Sequence, residues 1–101
     1  MILAQLNLPK KDNNGKCVLK HINSLRLESA KKFGGLTISN CIGDWYNKGK
    51  LYSDDNIRIE ISIQPRDKKE FITMCKKYGK LTKQLAIYVV INNKPRIINL
   101  S

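Results

Sequence analysis

The stretch NIRIEISIQ (residues 56–64) places isoleucine at every second position and polar side chains between. Successive side chains of an extended chain point to opposite sides, so the four isoleucines share one face and the polar residues share the other. A strand with one dry face and one wet face is typical of a sheet that is covered on one side only. The pattern therefore predicts an amphipathic sheet with helices on a single face.

Other periodicities surround this strand with two helices and further strands. The chain start (2–8) is predicted to be a strand, and apolar residues at helical spacing predict helices near 24–33 and 67–79. A hairpin turning at Gly49 precedes the isoleucine strand, and a second hairpin, LAIYVVI then RIINL, ends the chain. The unbroken apolar run of LAIYVVI predicts a strand buried on both faces. The order βαββαβ predicts one α+β domain (1–101) with a ferredoxin-like antiparallel sheet and both helices on one face.

The predicted helix ends depend on capping residues. Ser24 is the expected N-cap of the first helix, and Gly34 fits the position after its last turn. Asp67 followed by Glu70 has the spacing of a capping box at the start of the second helix. Gly79 is predicted to end that helix.

The segment KKFGGLTISNCIGDWYNKGK (31–50) concentrates glycine and aromatic residues. It is a poor phosphate loop, because it lacks GxGxxG and its glycines precede a strand instead of opening a helix. A structural role is favoured, in which Gly43 marks a β-bulge inside a strand. The alternative is an exposed aromatic surface of Trp45, Tyr46 and Tyr52 that contacts a partner.

Residues 6–63 resemble a group of small uncharacterised proteins of bacteria, phages and other mobile elements. The shared pattern is F-G-G-x-T, then G-x-W, then a further glycine, and it is matched by Phe33, Gly34, Gly35, Thr37, Gly43, Trp45 and Gly49. Cys41 stands where the group has another glycine, and its later acid corresponds to Asp54 or Asp55. The resemblance implies a ferredoxin-like domain and no established chemistry.

The cysteines and the apolar segments indicate a compartment. Cys17, Cys41 and Cys75 are odd in number, far apart and without the spacing of a zinc site, so we expect free thiols in a reducing compartment. No apolar run is long enough for a membrane span, and the basic residues follow the first apolar run instead of preceding it. The prediction is a cytoplasmic protein without a membrane partner, in the host cytoplasm if a phage encodes it.

Few residues suit catalysis. His21 is the only histidine, and a nucleophilic pair with Cys17 would lack an orienting third group. Asp44, Asp54 and Asp55 leave open a magnesium site across the hairpin, although a polar turn also explains them. The sequence therefore predicts a protein that is not an enzyme and has no cofactor and no metal.

The positive charge is concentrated in two segments. The chain has a net charge of +11. Residues 9–32 and residues 66–83 each contain seven basic and two acidic residues, a net of +5, whereas residues 33–65 contain three basic and four acidic ones. The predicted contacts to nucleic acid or another partner are Arg26, Lys31, Lys32, Lys68, Lys69, Lys76, Lys77, Lys80 and Lys83. The isoleucine strand has no aromatic residue for stacking on bases, so phosphate contacts by helical lysines are favoured over base readout on the sheet.

Two functions from different classes follow as hypotheses. The first is a non-enzymatic basic protein of phage or mobile-element type that binds DNA or RNA without sequence preference. The alternative is a stoichiometric inhibitor of a host nucleic-acid-guided defence complex, an anti-CRISPR-like role in which the lysines meet an acidic protein surface. A homodimer that pairs through its sheets or an edge strand is a third option.

Overall fold

The computed structural model describes all 101 residues and confirms the α+β prediction. Its elements are β1 (Ile2–Pro9), α1 (Leu19–Phe33), β2 (Thr37–Asn47), β3 (Lys50–Ile63), a 3-10 turn (Pro65–Asp67), α2 (Lys68–Leu81), β4 (Ala86–Ile91) and β5 (Lys94–Asn99). The strands form one antiparallel sheet in the order β2-β3-β1-β4-β5, with β2 and β5 at its edges. This is the ferredoxin-like arrangement with one added edge strand.

The core lies between one face of the sheet and the two helices. Alternate residues of β1 and β3 are buried, including Leu6, Leu8 and all four isoleucines of the NIRIEISIQ stretch. They pack against apolar side chains of both helices, such as Leu25 and Phe71, which are each 0% exposed. Neither helix is long and apolar enough to cross a membrane.

The β2–β3 hairpin extends beyond the rest of the sheet. β1 pairs with β3 only from Asn56 to Ile63, whereas residues 50–55 pair with β2 alone. We call residues 42–55 the hairpin arm. Its two-residue turn uses Lys48 and Gly49, both with positive φ (51° and 79°), and glycine adopts this conformation at low cost. The arm therefore exposes both of its faces.

Both helices differ at their ends from the sequence prediction. α1 begins at Leu19, and Ser24 is not its N-cap but lies inside the helix, where its hydroxyl donates to the Lys20 carbonyl at 3.3 Å. The predicted glycine end is confirmed, since Gly34 has φ 90° and donates its N–H to the Ala30 carbonyl at 3.0 Å. The five residues of α1 that precede Ser24 could not be predicted, because no capping side chain marks the start of the helix.

The second helix begins and ends differently from the prediction. The capping box joins Gln64 and Asp67, one turn before the predicted pair of Asp67 and Glu70. Gly79 does not end the helix, which continues to Leu81, and the Thr82 hydroxyl then donates to the Tyr78 carbonyl at 2.7 Å. The sequence suggested a stop because glycine usually follows a helix, whereas here it lies inside the last turns.

Two predictions for the strands were also wrong. LAIYVVI is not buried on both faces, because β4 alternates and Tyr88 on its open face is 43% exposed. Gly43 is not a bulge, because it pairs in register with Asp54. A Cβ on Gly43 would lie 2.7 Å from Nδ2 of Asn56. A glycine at this position therefore leaves room for the Asn56 side chain.

Candidate functional site

A groove at one end of the sheet combines carboxylates, lysines and an indole. It lies where β1 ends, at the base of the hairpin arm, and has a volume of about 570 Å³. Its functional side chains are Asp12, Asp54, Asp55, Lys10, Lys11 and Trp45. We call it the aspartate groove. Three carboxylates around one groove are notable in a chain whose net charge is +11.

Trp45 is held on two sides. Its indole Nε1 donates a hydrogen bond to Oδ2 of Asp54 at 3.1 Å. Its ring stacks on Tyr52, with 4.4 Å between centroids and 15° between planes, and Lys50 Nζ lies 5.2 Å from the centroid of Tyr52. Trp45 nevertheless stays 49% exposed. The arrangement fixes a flat aromatic surface beside a carboxylate at the groove wall.

The loop after β1 is fixed by Asp12. One of its carboxylate oxygens, Oδ1, accepts backbone N–H bonds from Asn14 at 2.8 Å and from Lys16 at 2.9 Å. The bond from Lys16, then that from Asn14 and the charge of Lys83, lower the pKa of Asp12 below its usual value. The backbone N–H of Lys10 donates to the Asp55 carbonyl at 3.0 Å. Loop and arm are thus joined, and the Asp12 carboxylate stays ionised at the groove.

The three predicted aromatic interface residues do not form one surface. Trp45 and Tyr52 are cross-strand partners on the same face of the arm, whereas Tyr46 pairs with Leu51 on the opposite face. Tyr46 and Leu51 are 71% and 62% exposed. The arm therefore presents a stacked pair towards the groove and a separate exposed pair on its other side.

The three aspartates that left a magnesium site open are not brought together. Asp44 points to the face opposite Asp54 because neighbouring pairs of a hairpin alternate, and it accepts a hydrogen bond from the Ser53 hydroxyl. No three histidine, cysteine, aspartate or glutamate side chains in the chain are arranged so that they could hold a metal ion.

The cysteines lie apart as free thiols. Cys17 is exposed, Cys41 is half-buried and Cys75 is buried in the core, where loss of hydration raises the pKa of its thiol. His21 lies in the first turn of α1 and has no hydrogen bond to Cys17. The structure shows no cysteine–histidine pair.

The nine predicted binding cations fall into separate groups. Lys31, Lys68, Lys69, Lys76 and Lys80 are exposed on the two helices and form no ion pair. Lys32 and Lys77 instead bind Glu28, and Lys32 also lies 3.6 Å from Glu70. Arg26 lines a pocket on the flank of α1 that faces β2 and β3. Lys83 follows α2, and its positive charge helps to lower the pKa of Asp12 at the aspartate groove. Five of the nine cations are thus exposed on the helices without an acidic partner.

Glu28 joins the two helices. It accepts hydrogen bonds from Lys77 and from the Tyr78 hydroxyl, the latter at 2.9 Å, and it pairs with Lys32 at 3.1 Å. Burial opposes its ionisation, but the hydrogen bonds from Lys77, Lys32 and Tyr78 outweigh burial and lower the pKa of Glu28 to about 2. Two of the predicted binding lysines therefore stabilise helix packing.

Sequence reasoning found Trp45, Asp54 and Asp55 but not the groove that contains them. The missing part was the loop KDNNGK (residues 11–16), which contributes Asp12. An aspartate two residues before an asparagine–glycine turn is a signal for a side chain that caps its own loop. No sequence signal shows that this loop meets the hairpin arm, because the contact depends on the order of the strands.

No family model and no curated protein matches this sequence. Solved structures do match. A phage SAM lyase in its apo state has a TM-score of 0.70 and 14% identity, with 97% of this chain and 88% of that chain covered. A phage SAM lyase in complex with S-methyl-5'-thioadenosine has a TM-score of 0.66, 12% identity and the same coverage. CutA1 of Pyrococcus horikoshii OT3, in a mutant form, has a TM-score of 0.56 and 9% identity, with 98% and 82% covered.

These similarities identify the fold and correct one expectation. The fold extends over nearly the whole chain and is shared with a phage protein of similar length. That protein is a lyase. The lack of paired catalytic groups in the sequence had led to the prediction that this chain is not an enzyme, and the similarity contradicts that prediction. This chain therefore has a fold that is also found in a phage enzyme.

Proposed function

We propose that this protein binds S-adenosylmethionine, or a closely related sulfonium nucleoside, in the aspartate groove and cleaves it to release S-methyl-5'-thioadenosine. The observation that carries the proposal is the fixed Trp45 beside Asp54 in a groove of about 570 Å³, on a fold shared with a phage SAM lyase. The volume of the groove lies within the range of about 300–1,000 Å³ that is typical of small-molecule sites.

The side chains of the groove complement the parts of this substrate. The purine ring is flat and suits the exposed face of the Trp45 indole. The ribose hydroxyls are donors for the carboxylates, of which Asp54 is already oriented by its bond to Trp45. The amino acid end carries an ammonium group for a carboxylate and a carboxylate for Lys10 or Lys11. Groups of both charges in one groove fit a substrate that carries both charges.

The chemistry needs mainly positioning from the chain. The substrate carboxylate attacks its own Cγ, forming a C–O bond and closing a lactone. The Cγ–S bond breaks, and its electron pair leaves with sulfur, which becomes a neutral thioether. The step needs no external base. Holding the methionyl chain folded lowers the entropic part of the barrier, because it fixes internal rotations and brings the carboxylate to the roughly 3–3.5 Å from Cγ that a reactive conformer needs.

Incubation with S-adenosylmethionine, followed by chromatography, tests the proposal. We expect S-methyl-5'-thioadenosine to accumulate, and Trp45→Ala and Asp54→Asn to slow its release. Tyr46→Ala is the matched control, since it removes an aromatic from the opposite face of the same arm. If the folded wild-type protein releases no product and calorimetry detects no binding of S-methyl-5'-thioadenosine, the proposal is wrong.

A second candidate function, polyanion binding by the helices, is favoured by one further observation. With 100° between successive residues, Lys69, Lys76 and Lys80 form one stripe on the outer side of α2, and none has an acidic partner. Together with Lys31 on α1 they present unpaired charge to a polyanion such as DNA or RNA.

Salt-dependent binding of a random-sequence duplex tests this second candidate. Lys69→Glu with Lys76→Glu should weaken binding and lower the slope of log K against log salt by about one for each lost phosphate contact. Lys94→Glu with Arg96→Glu, on the edge strand, is the control with the same change of charge. An equal loss of affinity in the α2 double variant and in the edge-strand double variant would show that net charge alone drives binding.

A further inference from the structure

We propose a second ligand site, in the pocket between α1 and the sheet, that binds a small amphipathic carboxylate with an apolar tail. This pocket, which we call the α1 pocket, has a volume of about 380 Å³ and lies on the other side of Lys10 from the aspartate groove. Its assignment does not depend on cleavage of S-adenosylmethionine.

The inner part of the α1 pocket is aliphatic. Ile22 and Ile57 are 3% and 5% exposed and belong to the core, while Ile38 of β2 is half-buried beside them. Leu19, at the start of α1, remains 57% exposed at the same pocket. An aliphatic tail lying against Leu19 and Ile38 would remove their remaining apolar surface from water, which is favourable by about 25 cal/mol per Å².

The outer part of the pocket is cationic. Lys10 and Arg26 line it, neither forms an ion pair, and no acidic residue lines the pocket. The aspartate groove, by contrast, is lined by three carboxylates as well as two lysines, so its charges are mixed. Guanidinium groups bind carboxylates through two parallel hydrogen bonds, and the side chain of Asn40, on the same face of the sheet as Ile57, adds a neutral polar group nearby.

This distribution of charge selects the ligand class. A cation with the same tail would meet two positive side chains, and a short anion such as acetate would leave the aliphatic part uncovered. A medium-chain carboxylate satisfies both parts of the pocket. Octanoate is therefore the probe, with octylammonium as the probe of opposite charge and acetate as the probe without a tail.

Cys17 provides the readout, because it is exposed and lines the α1 pocket. Alkylation of the native protein by iodoacetamide, a neutral reagent, is followed for each cysteine by mass spectrometry. We expect octanoate to slow alkylation of Cys17 several-fold and to leave Cys41, which does not line the pocket, unchanged. Arg26→Glu should abolish this protection, whereas Lys31→Glu, on the outer side of the same helix, should retain it.

Three results would overturn the proposal. Octylammonium protecting Cys17 as well as octanoate would show that the pocket does not select an anion. Equal protection by acetate would show that the aliphatic part binds nothing. Unchanged alkylation of Cys17 at saturating octanoate, with the fold verified by circular dichroism, would show that the site does not exist.

Discussion

Tyr78 of α2 donates its hydroxyl to the carboxylate of Glu28 on α1, 2.9 Å away, and this bond crosses between the two helices. Burial, and then the bond to Glu28, raise the pKa of Tyr78 to about 12. Lys77 extends the same contact, since its Nζ bonds to Glu28 and lies 4.9 Å from the centroid of the Tyr78 ring. A single carboxylate thus orients one helix against the other.

Glu28→Gln should destabilise the protein at neutral pH. The pKa of Glu28 falls from 4.5 to about 2 on folding, a shift worth about 3 kcal/mol, and the amide retains some of the hydrogen bonds. We expect a loss of about 1–3 kcal/mol, measured by urea unfolding at pH 7. Lys31→Gln, which removes an unpaired charge from the same helix, should change the free energy of unfolding little.

The contribution of Glu28 should depend on pH. Because its folded-state pKa lies below the unfolded value, the stabilisation is present above about pH 5 and is lost as the pH falls from 4.5 towards 2. Wild type and Glu28→Gln should therefore converge in stability at low pH. An unchanged difference between pH 7 and pH 3 would contradict this account.

Gly79→Ala should destabilise the protein although the position is helical. A Cβ there would lie 2.5 Å from Cδ1 of Leu100 and 2.8 Å from Cγ2 of Ile87. Alanine normally improves a helix by about 1 kcal/mol over glycine, and overpacking costs about 1–3 kcal/mol. Thermal unfolding should show a lower midpoint, partly restored by adding Leu100→Ala. A higher midpoint for Gly79→Ala alone would contradict this prediction, because it would mean that Leu100 and Ile87 move aside to accommodate the methyl group.

Ser29→Ala should be tolerated or slightly stabilising. Ser29 is 0% exposed, and its hydroxyl contacts only Sδ of Met74, at 3.5 Å, which is a weak acceptor. Removing the hydroxyl ends the burial of a poorly bonded polar group and improves helix propensity. We expect an unfolding free energy unchanged or raised by up to about 1 kcal/mol, and a loss of 2 kcal/mol or more would reveal a stronger bond.

The hairpin arm should open more readily than the rest of β3. Amides at 51–55 belong to a two-stranded ribbon, whereas those at 57–63 lie in a strand with neighbours on both sides. Few buried contacts lower the free energy of local opening. Hydrogen exchange followed by mass spectrometry should show faster exchange in the arm, and equal protection would mean that something covers it.

The sequence predicts most of the fold because local pattern and burial agree. Alternating isoleucines of β3 and helical repeats of apolar residues each identify the face that packs on the core. Helix ends were less predictable, since Val18 precedes α1 without a capping side chain and Gly79 lies inside α2 for a packing reason. A glycine that admits a neighbour's side chain looks the same in the sequence as one that ends a helix.

The candidate site was less predictable because its parts meet only through the fold. Asp12 and Asp54 are brought to one groove by the pairing of β1 with β3, which sets loop and arm side by side. Counting charges in the sequence likewise could not predict that Lys32 and Lys77 form ion pairs with Glu28. Composition gives the net charge. Which charged side chains remain free to bind a partner depends on how the two helices pack against each other.

The two outer strands of the sheet differ in their protection. β5 carries Lys94, Pro95 and Arg96, and both lysine and proline deter a further strand from pairing. β2 has eleven residues, a single charged side chain (Asp44) and no proline. Its outer backbone groups therefore offer a ready template to any extended peptide. Strand addition can occur on that flank, and crowded or partly unfolded chains would aggregate there first.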